Sequence, residues 1–142
     1  MKGTLSLSKA IEIIMLTIGI KGTQTVTVSN ENTAATMGSG TLAVFATPAM
    51  IALMEKTAYI SVQDALDEGM GSVGTLLNVK HVAATPVGMT VTCESELVEV
   101  DGRRLVFTVK AFDEVGLIGE GTHERFIVQN EKFLAKTNAK KA

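Results

Sequence analysis

Between Thr47 and Glu55 the chain reads Thr-Pro-Ala-Met-Ile-Ala-Leu-Met-Glu, and this stretch restricts the possible folds more than any other. Thr47 is a favourable helix N-cap and Pro48 a favourable first helical residue. Ala49 to Met54 is then apolar around nearly the whole helical circumference. A helix that is apolar on all sides should be covered on all sides. In a chain of 142 residues, the size of one domain, the available cover is a curved sheet. Polar residues return at Glu55 and Lys56, and the helix is expected to run to about Leu66 and stop before Gly69.

The rest of the sequence supplies that sheet. Gly22 to Ser29 alternates, with Thr23, Thr25 and Thr27 on one face and Val26 and Val28 on the other. Thr33 to Met37 is ambiguous, and Gly38-Ser39-Gly40 is loop. Val73 to Ala84 reads as a strand whose more apolar face holds Val73, Leu77, Val79 and His81. Thr85 to Gly88 turns the chain into Met89 to Val100. Asp101-Gly102 then marks a hairpin into a strand lined by Leu105, Phe107, Val109 and Ala111. Gly116 to Gly121 reads as a looser connection before a last strand, Thr122 to Gln129. On that strand His123, Arg125 and Ile127 face away from Phe126 and Val128. The expectation is an α+β domain over residues 20–129, with an N-terminal extension at 1–19 and a polar tail at 130–142 that frays. One sheet on one helix leaves the other sheet face open, which predicts a homodimer.

Composition closes off several function classes. Lys and Arg number 13 against 15 Asp and Glu, a formal net charge of -2. No strong basic field exists to hold a phosphate backbone, so nucleic acid is not an expected partner. The single cysteine, Cys93, cannot form an internal disulfide or a cysteine-cluster metal site. In its strand it reads as a reduced, buried small hydrophobe, which fits a cytoplasmic protein. The apolar stretch Ile11 to Ile20 is interrupted by Glu12, is too short to span a bilayer and has no clear cleavage motif after it. It reads as a short helix begun at Ser8, or simply as an extension, and no membrane is expected. Two histidines without HExxH spacing give no metal site, and no phosphate-binding glycine motif is present.

Three polar residues stand in apolar places, and each has two readings. Thr47 is either only an N-cap or part of a site that uses the free N–H groups of a helix start. Glu55 either emerges onto the surface beside Lys56, or is buried and therefore paired, protonated or facing a polar cavity. His81 is either structural or an acid/base group near a carboxylate. Thr47 and Glu55 are separated by ~12 Å of helix rise and ~80° of rotation, so their side chains cannot easily touch. A cleft at a dimer interface, taking groups from both subunits, resolves that separation.

The segments Phe45-Ala46-Thr47-Pro48-Ala49-Met50-Ile51-Ala52-Leu53-Met54-Glu55, Gly74-Thr75-Leu76-Leu77-Asn78-Val79-Lys80-His81 and Thr85-Pro86-Val87-Gly88-Met89, with their mutual spacing, resemble the hotdog-fold thioesterases related to fluoroacetyl-CoA thioesterase. The resemblance covers Gly19 to Gln129. It implies a hotdog fold, a dimer and hydrolysis of an acyl-CoA to a carboxylic acid and CoA, with the CoA thioester as substrate and no cofactor. It also implies Thr47, Glu55 and His81 as catalytic residues, Gly74 near the substrate carbonyl, and Arg125 as an active-site arginine. Arg125 then either pairs with Glu55, holds a CoA phosphate or stays on the surface. Where the fluoroacetate-specific enzyme carries aromatic gating residues, this chain has Gly38-Ser39-Gly40-Thr41, so the resemblance implies a reaction class more firmly than an acyl group. The rival readings are a hotdog enoyl-CoA hydratase or dehydratase and a non-catalytic acyl-CoA-binding domain.

Overall fold

The structure, a computed structural model, describes residues 16–141. The expected short helix or extension before Met15 lies outside the described residues. The elements are β1 (Lys21–Thr27), α1 (Ala34–Met37), α2 (Thr47–Gln63), β2 (Met70–His81), β3 (Thr90–Asp101), β4 (Arg104–Phe112), β5 (Leu117–Gln129) and α3 (Asn130–Asn138), followed by a 3-10 turn. The five strands form one antiparallel sheet in the order β1-β3-β4-β5-β2, so β1 and β2 are its edges.

The sheet curls around α2, and the core lies between them. Val91, Cys93 and Leu97 of β3 and Leu105, Phe107, Val109 and Ala111 of β4 meet Met50, Leu53, Met54, Ala58 and Val62 of the helix. Gly119 of β5 faces this core because a Cβ there would run into the Sδ and Cε atoms of Met50. This close approach also explains why the glycine-containing segment from Leu117 is strand rather than the loose connection expected from sequence.

The helix is not covered on all sides. One stripe is buried, but Pro48 and Ala52 are exposed, as are Tyr59 and Ile60 at 40% and 39%. A single sheet can wrap only one side of a helix, and the other side keeps its apolar residues. The outer sheet face differs from expectation in the opposite sense. Glu94, Lys110, Glu120 and Lys80 stand side by side across four strands. Facing positions of opposite charge suit water, so this row of the outer face needs no cover.

Two further details differ from the sequence reading. A bulge between Gly74 and Leu76 reverses the side-chain parity of β2. Val73 therefore pairs with outward-facing Phe126, while Leu77, Val79 and His81 pair with His123, Gly121 and Gly119 on the inner face. The expected fraying tail is helical from Asn130, with the Gln129 side chain accepting from the Lys132 N–H and Glu131 in the first turn. Among the described residues no helix is long and apolar enough to cross a membrane.

Candidate functional site

The start of α2 decides the role of Thr47. Ala46, not Thr47, is the N-cap, and no side chain caps the helix. Thr47 occupies the first helical position with its hydroxyl free of capping duty. Its Oγ1 lies 2.7 Å from Nδ1 of His81, the last residue of β2. These two side chains border a cleft of about 310 Å3, whose other walls are mainly small and apolar, including Ala34, Val44, Val82 and Ala84. Among the described residues, buried His81 Nε2 has no hydrogen-bond partner.

Burial lowers the pKa of His81, and the nearby Ala83 backbone opposes this only in part. The neutral ring that can accept a proton from Thr47 is therefore favoured at neutral pH. If His81 acts as a base, kcat/KM should rise with pH through this lowered value, placing the acid limb of the profile below the ordinary imidazole range. An acid limb at or above that range contradicts this. The sign for stability is the same. An imidazole with a lowered folded pKa contributes stability that is present above its unfolded pKa and lost as pH falls through the folded one.

Glu55 belongs to a second cluster. Its Oε2 is 3.7 Å from Nη1 of Arg125. The guanidinium is nearly buried and held from several sides: Nε donates to Ser72 Oγ and Nη2 to Ser72 O, each at 2.8 Å, and Tyr59, one turn beyond Glu55, lies 5.7 Å below it. Arg125 is thus a built-in partner of Glu55 rather than a surface residue. Gly74 completes the cluster. A Cβ there would meet the Glu55 carboxylate first, then His123 Cε1 at 3.3 Å and Arg125 Nη1 at 3.4 Å.

Sequence reasoning missed His123. It is fully buried and stacks on Phe107 with ring centroids 6.0 Å apart. Arg125 Nη1 lies 3.1 Å from its Nε2 and can only donate, so Nε2 accepts. Nδ1 then carries the proton and donates to Leu76 O at 2.9 Å. Burial lowers its pKa and so does Arg125, consistent with a neutral ring that orients the guanidinium. The available signal was parity: His123 and Arg125 are two apart on one strand face.

Within one chain the five expected residues therefore form two groups, Thr47 with His81 and Glu55 with Gly74 and Arg125. The helix and β2 run in opposite directions past one another. Their ends separate the groups by ~12 Å along the helix and roughly 20 Å along the strand.

The profile of the fluoroacetyl-CoA-specific thioesterase family matches residues 28–131. A fluoroacetyl-CoA thioesterase of Streptantibioticus cattleyicolor is 50% identical over 97 residues, 68% of this chain and 70% of that protein. A crystal structure of a fluoroacetyl-CoA thioesterase aligns at a TM-score of 0.83 and 41% identity, covering 89% of this chain and 98% of the other. A hot-dog-like protein of Thermanaerovibrio acidaminovorans aligns at 0.79 and 27% identity, covering 87% and 91%. The helix wrapped by an antiparallel sheet is the α+β hotdog fold.

Proposed function

This chain belongs to the fluoroacetyl-CoA-specific thioesterase family, and on that premise we propose that it hydrolyses an acyl-CoA at a site built from Thr47, His81 and Glu55 across a homodimer interface. Family membership makes it a thioester hydrolase rather than a hydratase or a non-catalytic binding domain. The observation that carries the residue assignment is the 2.7 Å contact between Thr47 Oγ1 and His81 Nδ1 at an uncapped helix start. A neutral His81 takes the proton from Thr47 or from water as the thioester carbonyl is attacked. The first-turn N–H groups and the positive end of the helix stabilise the oxyanion. CoA thiolate leaves and takes the proton that His81 accepted; where Thr47 is the attacking group, a water deprotonated by His81 then cleaves the Thr47 acyl ester, releasing the carboxylic acid and returning the proton to Thr47. Glu55 supplies negative charge that steadies the protonated imidazole or activates water, and Arg125 holds the Glu55 carboxylate in place.

The dimer supplies what one chain lacks. Among the described residues the outer edge of β2 pairs with no strand and carries an exposed Leu76, and such an edge invites pairing with a second strand. If two β2 edges pair antiparallel about a two-fold at Asn78, the extra residue at Thr75 brings His81 of one protomer opposite Gly74 of the other. Thr47 and His81 then face Glu55 and Arg125 of the second subunit, and the exposed side of α2 gains a cover. The proposed domain spans residues 20–129. A cytoplasmic location is part of the same reading and rests on Cys93, which is buried and unpaired.

The test is release of CoA thiol from a panel of short, branched and aromatic acyl-CoA substrates by the wild type, Thr47→Ala and His81→Ala. Turnover of at least one substrate, lost in both variants, is expected. Full activity in either folded variant contradicts the residue assignment.

A further inference from the structure

The Thr47–His81 pair closes a ring. From His81 the chain runs through Val82, Ala83 and Ala84 to Thr85. The Thr85 carbonyl accepts from the Phe45 N–H at 2.9 Å, and the chain returns through Ala46 to Thr47. The ring is closed by the Thr47–His81 contact. Its far side is rigid. Thr85, Phe45 and Ala46 are essentially inaccessible, and Pro86 keeps Thr85 extended.

One side chain grips this ring from outside. Asp113, in the β4–β5 connection, accepts the Thr85 hydroxyl on Oδ2 at 2.8 Å. Its Oδ1 serves its own turn, accepting from Val115 N at 2.8 Å and Gly116 N at 3.1 Å. Just beyond that connection, at the start of β5, Ile118 O accepts from Val82 N, next to His81, at 2.7 Å. The β4–β5 connection and the start of β5 therefore hold the ring at one point each. A carboxylate needed only to cap its turn would not require a buried threonine on its second oxygen.

We propose that Asp113 and Thr85 are positioning residues for the Thr47–His81 pair: the Asp113–Thr85 hydrogen bond fixes the carbonyl that sets Phe45, and with it Thr47, against His81. This rests on the reading of Thr47 and His81 as the reacting groups. Small misplacements of such groups lower rates steeply. Thr85→Val is close in shape, removes only the hydroxyl and leaves the Asp113 turn cap in place, whereas Thr85→Ser keeps the hydroxyl.

Thr85→Val is expected to lower kcat by about 10-fold to 100-fold with KM nearly unchanged, and Thr85→Ser to restore most of it. In a Thr47→Ala background, Thr85→Val should have no further effect on kcat, since the group it positions is gone. The imidazole 15N resonances of His81 provide a readout independent of turnover. They should move in Thr85→Val and return in Thr85→Ser. Unchanged kcat and His81 resonances in Thr85→Val, or an equal kcat loss with and without Thr47, overturn the proposal. If Thr47→Ala alone keeps full activity, the functional reading of Thr47 fails, and the His81 resonances still decide whether Thr85 sets the pair.

Discussion

Replacing His81 by alanine is expected to lower kcat/KM for an acyl-CoA by ~10²–10⁴-fold, the range associated with loss of a positioned acid/base group. The ring sits half-buried at the end of an edge strand, outside the apolar core, so the fold should survive its loss. The removed contact is functional in kind: Thr47 Oγ1 loses its His81 Nδ1 partner, and the helix start keeps no other side chain of comparable role. Residues that act as a unit are strongly non-additive. The double variant Thr47→Ala/His81→Ala should therefore be little worse than His81→Ala. Steady-state kinetics with a melting curve for each variant check this. A folded His81→Ala protein within a few-fold of wild type contradicts the assignment.

The second large effect comes from a single methyl group. Gly74→Ala places a Cβ against the Glu55 carboxylate, with His123 and Arg125 just behind. The His123 ring is pinned by Leu76, Arg125 and Phe107, and the guanidinium by Ser72, so neither can retreat. Glu55 can, because its side chain is 39% exposed and its carboxylate is the flexible end. The methyl should displace Glu55 from Arg125 at a stability cost of about 1 kcal/mol, below typical overpacking because the crowded group is mobile. The kcat/KM loss should be ~10²-fold, as for a misplaced reacting group. In a Glu55→Ala background the same methyl should have little effect on rate. A Gly74→Ala enzyme with wild-type kinetics would mean that Glu55 geometry does not matter to the reaction.

The parts of the fold that were legible in the sequence are those whose periodicity expresses one dominant environment. The Ala49–Met54 run specified the core helix, although only one stripe of it is buried, and the alternation in β3 and β4 specified a half-buried sheet. The failures have physical causes. A period of two puts Val73 on the inner face only in the absence of a bulge, and Thr75 inserts one. Gly116 to Gly121 reads as a connection because glycine usually weakens a strand, whereas Gly119 is needed where Met50 approaches.

Of the site, the residue types were legible but their grouping was not. Thr47 looked like an N-cap because threonine before proline commonly is one. The helix starts one residue earlier, which releases the hydroxyl toward His81. The spacing of Thr47 and Glu55 correctly implied that they do not meet in one chain. What it could not supply was the partner of each, since the His81 and Arg125 contacts depend on long-range strand register. For His123 the sequence offers only its shared strand face with Arg125, and its role follows from the Arg125 and Leu76 geometry.

The central claim, that one subunit supplies Thr47 and His81 while the other supplies Glu55, is tested most directly by mixing two inactive proteins. Thr47→Ala and Glu55→Ala are purified separately, mixed in equal amounts, reversibly dissociated and reassembled. If the site is shared, each mixed dimer contains one site with both residues intact, and random reassembly should restore about a quarter of wild-type kcat. If the mixture stays as inactive as its two components while mixed dimers are shown to have formed, the site lies within a single chain and the account is wrong.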